Sequence, residues 1–119
     1  MTLFSTIFGS KVQNNDSFEI LSPSAFKEAI SKSKVQLVDV RTPQEYKGGS
    51  IKKAINIDIF QSNSFQEKIQ KLDKNQPVYI FCRSGSRSKR AAGLMLKLGF
   101  TKIFDLQGGY MAWQTTVGN

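Results

Sequence analysis

From residue 18 onward, short apolar runs alternate with stretches whose apolar residues recur three and four positions apart. Residues 18–21 read as a short strand. Ser22-Pro23 then supplies an N-cap and a proline at the first helical position, opening a helix through about residue 31. Residues 35–40, VQLVDV, form a β-branched run suited to a buried parallel strand. Thr42-Pro43-Gln44-Glu45 is a capping box with proline at N1, and Gly48-Gly49 stops the helix it starts. A further strand is predicted over 54–59, after which Asn63 or Ser64 caps an amphipathic helix with Phe65, Ile69 and Leu72 on one face. Residues 78–81, VYIF, follow an Asn75-Gln76-Pro77 turn as a compact strand. The polar residues 82–88 lead into a strong helix over 89–98, closed by Gly99. A last strand is predicted over 102–106, then Gly108-Gly109 and a short helix through Trp113. This alternation argues for an α/β fold, a parallel sheet covered on both faces. In such folds the strand-to-helix loops lie at the carboxyl edge of the sheet, where ligands bind.

At 119 residues the chain fits one domain, read here as residues 18–119 behind a tail of residues 1–17. Leu3, Phe4, Ile7 and Phe8 repeat at helical spacing, so the tail is expected to hold a short amphipathic helix. Packing on its own domain is the ordinary role of such a helix; dimerisation and attachment to a bilayer surface are the others. The polar residues 13–17 form the joint. No apolar run approaches the ~18–20 residues of a membrane span. The first nine residues, MTLFSTIFG, make a poor secretory signal because no Lys or Arg precedes them and no small-residue cleavage site follows. A reducing, cytoplasmic setting is therefore the expectation.

Composition narrows the chemistry. With no His there is no imidazole general base, no Ser-His-Asp or Cys-His arrangement and no His metal ligand. With one Cys there is no internal disulfide and no CxxC site. No cofactor or metal is called for. Seventeen Lys and Arg against nine Asp and Glu give a net charge of +8, which favours anionic partners. Arg83, Arg87, Lys89 and Arg90 cluster within a few positions of the single Cys82.

A free Cys is commonly a small buried hydrophobe. Cys82 instead directly follows a buried strand and precedes a loop of Ser, Gly and Arg that enters a helix. The thiolate is the reactive form of cysteine. Converging loop amides, a helix N-terminus and the neighbouring Arg83 and Arg87 all favour negative charge there. The same donors suit an oxyanion substrate. Gly85 lets the backbone turn inward, Ser84, Ser86 and Ser88 add hydroxyl donors, and Arg87 offers a planar fork for bidentate anion binding.

Three segments, LVDVRTPQEYKGGSIKKAINI (37–57), PVYIFCRSGSRSKRAAGLMLKLGF (77–100) and LQGGYMAW (106–113), together resemble a single-domain rhodanese-like sulfurtransferase. The resemblance spans roughly residues 18 to 115. It implies a three-layer α/β/α domain around a five-stranded parallel sheet, with the catalytic Cys at Cys82. It further implies that this thiolate takes the sulfane sulfur of thiosulfate, or of a persulfide donor, and yields it to cyanide or a thiol, a protein acceptor included. Arg83 and Arg87 match the family's anion-binding positions, and the loop of residues 83–88 would cradle the persulfide. Related Cys-dependent phosphatases place five residues between Cys and Arg; here four separate Cys82 from Arg87, a loop better matched to a sulfur atom than to a phosphoryl group. The alternative is a sulfur-relay or regulatory module with little turnover of its own. Two positions depart from the family pattern: Ser50 stands where many relatives carry His, and Lys53 where Gly is frequent.

Asp39 and Arg41 close the second strand at the same sheet edge as Cys82, either bracing the active loop or serving as a strand-end ion pair. Glu45 is read as the capping partner of Thr42. Tyr110, Met111 and Trp113 either roof a site or pack a terminal helix. The basic Ser88-Lys89-Arg90 step has no interleaved aromatic residues for base stacking, so a nucleic-acid partner is not expected.

Overall fold

In the computed structural model, which describes residues 15–118, five parallel strands form one sheet in the order β1-β5-β4-β2-β3. The strands are β1 (Phe18–Leu21), β2 (Gln36–Asp39), β3 (Ile55–Asn56), β4 (Val78–Phe81) and β5 (Ile103–Leu106). Between and after them run α1 (Pro23–Ile30), α2 (Pro43–Lys47), α3 (Ser62–Ile69), α4 (Ser86–Lys97) and α5 (Gly109–Thr116). The helix expected in the tail falls on residues outside the described ones. Among the described residues, no helix is long and apolar enough to cross a membrane.

Side-chain alternation along the strands divides the core in two. On one face Val38, Val78, Ile80 and Ile103 pack with Phe65, Ile69, Ala91, Ala92 and Met95 from α3 and α4. On the other, Leu37, Phe81 and Leu106 pack with Phe26, Tyr110 and Trp113 from α1 and α5. Helices on both faces of the sheet make the expected three layers.

Local rules explain several element starts. Ser22 Oγ accepts from Ala25 N–H at 3.2 Å ahead of Pro23, and the capping box at Thr42 is complete in both directions. Three boundaries differ from the sequence expectation. The strand over 54–59 shortens to Ile55–Asn56: Ile57 and Ile59 N–H still donate to Asp39 O and Val40 O, both at 3.0 Å, but that two-against-one step breaks the ladder. Helix α3 starts at Ser62 without a side-chain cap, neither Asn63 nor Ser64 serving. A main-chain turn, Gln61 N–H to Asp58 O at 3.2 Å, delivers the chain into it instead. Helix α4 starts at Ser86, so Arg87 and Ser88 lie in its first turn rather than in a loop.

Because every strand points the same way, Asp39, Phe81 and Leu106 end at one edge. The segments that follow these three residues meet there.

Candidate active site

Cys82 continues the alternation of Val78 and Ile80, so its side chain lies on the α3–α4 face, only 1% exposed. Burial alone would suit an inert thiol, but the sulfur has polar company. Gly85 N–H donates to Cys82 Sγ at 3.0 Å, while the thiol donates to Ser88 Oγ at 3.5 Å. Ser88, itself buried, donates to Gly85 O at 3.2 Å. Gly85 makes the turn possible at φ +116°, a left-handed conformation that L side chains rarely adopt. Helix α4 then rises directly from the loop. Arg83, Ser84 and Ser86 are exposed above it.

The cations near the sulfur are divided. The Arg87 fork is closed on Glu45, with Nη1 to Oε1 at 2.8 Å and Nη2 to Oε2 at 2.9 Å. The Phe60 ring centre lies 5.1 Å from its guanidinium carbon. Hydrogen bonds from Arg87 hold the Glu45 carboxyl down at about 2, partial burial opposing and Thr42 assisting. The same contacts raise Arg87 further. Lys89 Nζ reaches Asp105 Oδ2 at 3.2 Å and Gly85 O at 2.9 Å. Asp105 pairs in register with Ile80 and is fully buried; burial pushes its carboxyl up, against the pull of Ser88 and Lys89. Arg83 and Arg90 stay exposed, and neither joins an ion pair among the described residues.

Asp39 and Arg41 form a buried pair, Arg41 Nη2 to Asp39 Oδ2 at 2.7 Å. Ser50 Oγ donates to the same oxygen at 2.8 Å, and Arg41 Nη2 also reaches Gly49 O at 2.7 Å. The Arg41 guanidinium lies 4.6 Å from the Tyr110 ring centre, and Tyr110 N–H donates to Cys82 O at 2.8 Å. The pair thus reaches the active loop through Tyr110. At the next position Met111 N–H donates to Arg83 O at 3.0 Å. Gly109, at φ +63°, permits this approach: a Cβ there would stand 2.5 Å from Arg83 O and 2.6 Å from Cys82 O. Trp113 is buried edge-on to Phe26 as a packing residue, while Met111 is half exposed.

The structure therefore gathers Cys82, Arg83, Ser84, Gly85, Ser86, Arg87 and Ser88 at one edge, with Asp39 and Arg41 beneath. Three participants escaped the sequence reading. Glu45 binds Arg87 as well as capping α2. Gly109 admits α5 to the back of the loop. Asp105 anchors Lys89; its signal was a carboxylate at an inward position of the strand IFDL.

The Rhodanese-like domain family matches residues 22–116. The chain is 41% identical over 80 residues to the uncharacterised protein YqhL of Bacillus subtilis, covering 67% of this chain and 61% of that protein. It is 33% identical over 95 residues to a sulfurtransferase of Allochromatium vinosum, covering 80% and 86%. A tRNA uridine(34) hydroxylase of Pelagibacter ubique is 30% identical over 91 residues, 76% of this chain but only 30% of that protein. Among solved structures, the rhodanese-related protein of Thermoplasma volcanium superposes with a TM-score of 0.70 at 30% identity, covering 82% of this chain and 91% of its own. With a matching fold, a Cys82 loop at the sheet edge and a family match over most of its length, the chain belongs to the rhodanese-like domain family.

Proposed function

We propose that this protein is a sulfurtransferase in which Cys82 carries sulfur as a persulfide. The Cys82 thiolate attacks the outer sulfur of thiosulfate, forming a new S–S bond. The sulfane–sulfonyl bond breaks, and sulfite leaves with its electron pair. Cyanide, or a thiolate of a small molecule or protein, then attacks the terminal sulfur. Thiocyanate or a new persulfide departs and the Cys82 thiolate returns. Neither step requires an imidazole, because both nucleophiles are anions. The observation that carries this reading is the Gly85 amide aimed at the sulfur from 3.0 Å, a fixed donor already in place at the atom that would carry the transferred sulfur. Ser88 adds a second donor once its hydroxyl turns toward the thiolate. Arg83, Ser84, Gly85, Ser86, Arg87 and Ser88 form the wall that the donor meets, and a reducing compartment such as the cytoplasm keeps the thiol available.

Intact-protein mass spectrometry after incubation with thiosulfate tests this. The expected result is a gain of one sulfur atom, reversed by cyanide and absent in Cys82→Ser. No adduct from thiosulfate or from polysulfide overturns it. Loading without cyanide turnover, followed by transfer to a partner thiol, would identify a relay protein rather than a free-standing enzyme.

A further inference from the structure

Helix α2 needs only one oxygen of Glu45. Oε1 accepts from Thr42 N–H at 3.0 Å and completes the capping box. Both oxygens nevertheless engage the guanidinium of Arg87, which lies forty-two residues further along the chain, in the first turn of α4. Arg87 and Glu45 keep 18% and 28% side-chain exposure, so the pair sits at the mouth of the loop rather than in the core. The edge of the fork that would grip an oxyanion is occupied, and Phe60 lies beside the guanidinium. Lys89 is tied to Asp105 and the Gly85 carbonyl. Arg83 is left as the loop cation with no carboxylate partner among the described residues.

A donor approaching this mouth meets one free cation, Arg83, and an Arg87 whose charge the Glu45 carboxylate already offsets. Repulsion from that carboxylate grows with donor charge, and is about twice as large for a dianion as for a monoanion at the same distance. Binding a sulfonate on the Arg87 fork additionally requires displacing Glu45. Resting on the sulfur-transfer reading above, we propose that Glu45 is the residue that selects the sulfur donor. By holding the Arg87 fork, it disfavours dianionic thiosulfate and favours monoanionic donors of the organic thiosulfonate and persulfide class. Chemistry at Cys82 is common to all of these donors: the thiolate takes the outer sulfur, and sulfite (from thiosulfate), an organic sulfinate (from a thiosulfonate) or a thiolate (from a persulfide) leaves with the bonding pair. Glu45 touches no reacting atom and acts through Arg87.

The test compares thiosulfate with benzenethiosulfonate, a dianion and a monoanion, in the wild type, E45Q and the double variant E45Q/R87A. Gln at this position keeps an oxygen for the Thr42 amide, so the capping box survives. The expected result for E45Q is a fall in KM for thiosulfate of about fivefold to tenfold with kcat little changed. The change for benzenethiosulfonate should be only about twofold to threefold, half the dianion's effect in free energy, and the gain should vanish when Arg87 is also removed. A purely structural Glu45 would alter both donors together. Equal shifts, or no shift, overturn donor selection while leaving sulfur transfer intact. Failure of the wild type to form a persulfide with either donor overturns the sulfur-transfer reading and this inference with it.

Discussion

Lys53 holds φ at +74°, in the left-handed region where an L side chain crowds its own backbone. Its side chain is exposed, and among the described residues no hydrogen bond or ion pair repays the strain. Replacing it by glycine relieves about 1–2 kcal/mol of backbone strain and costs about 0.5–1 kcal/mol in unfolded-chain entropy. Lys53→Gly should therefore stabilise the protein by about 0.5–1 kcal/mol, read as a higher urea midpoint at unchanged slope. A lower midpoint would mean that the turn carries no such strain. The position had already stood out in the sequence as a departure from the family's glycine, and the dihedral angle supplies the reason. Ser50, the other departure, donates to Asp39 and so joins the buried ion pair. Glu45 marks where single-residue reading stops. Its bond to Thr42 follows from a three-residue spacing, whereas its partnership with Arg87 depends on the chain folding back.

At the scale of elements, the site is the meeting of three segments that leave the sheet at the same edge: one after β2, one after β4 and one after β5. The strand pattern made that edge legible, because alternating strands and helices imply a parallel sheet. The start of α4 was not legible. Three serines in SGSRS each suit an N-cap, yet Gly85 occupies that place through its left-handed backbone, and no side-chain hydrogen bond marks it. Nor does a Gly-Gly pair disclose what it approaches. The structure gives Gly109 a specific task, since α5 begins against the carbonyl oxygens of Cys82 and Arg83. A methyl group there has to displace either the helix or the loop, with loss of the hydrogen bonds from Tyr110 and Met111. Gly109→Ala should destabilise the fold by about 2–4 kcal/mol, through overlap and an unfavourable φ together. Under conditions where the variant remains folded, persulfide formation should slow, because the moved backbone carries Cys82. Thermal melting and the rate of sulfur loading check the two effects separately. Wild-type behaviour in both would detach α5 from the loop.

For the molecule as a whole, the two perturbed carboxylates near the site respond to acid in opposite ways. Asp105 has its pKa raised by burial, so protonating it in the folded state relieves a desolvation penalty, and acid does not destabilise the fold through this group. Glu45 has its pKa lowered from 4.5 to about 2 by Arg87. Its contribution is complete above the unfolded value and is lost as pH falls through about 4.5 toward about 2. Acid also removes negative charge from a chain already at +8, so self-repulsion grows over the same interval. Other groups contribute to that repulsion, but they are shared by the wild type and E45Q and largely cancel in the difference between them. The wild type should therefore melt above E45Q at pH 6 by about 3–6 °C, with the gap closing as pH is lowered toward 2.5. Raising the ionic strength should narrow the gap only modestly at pH 6, because the pair is partly buried and its hydrogen bonds are direct. A gap that stays constant from pH 6 to 2.5 would show that it does not arise from the ionised Glu45 carboxylate, since Gln keeps the cap of α2. The link between α2 and the first turn of α4 would then contribute nothing to folding.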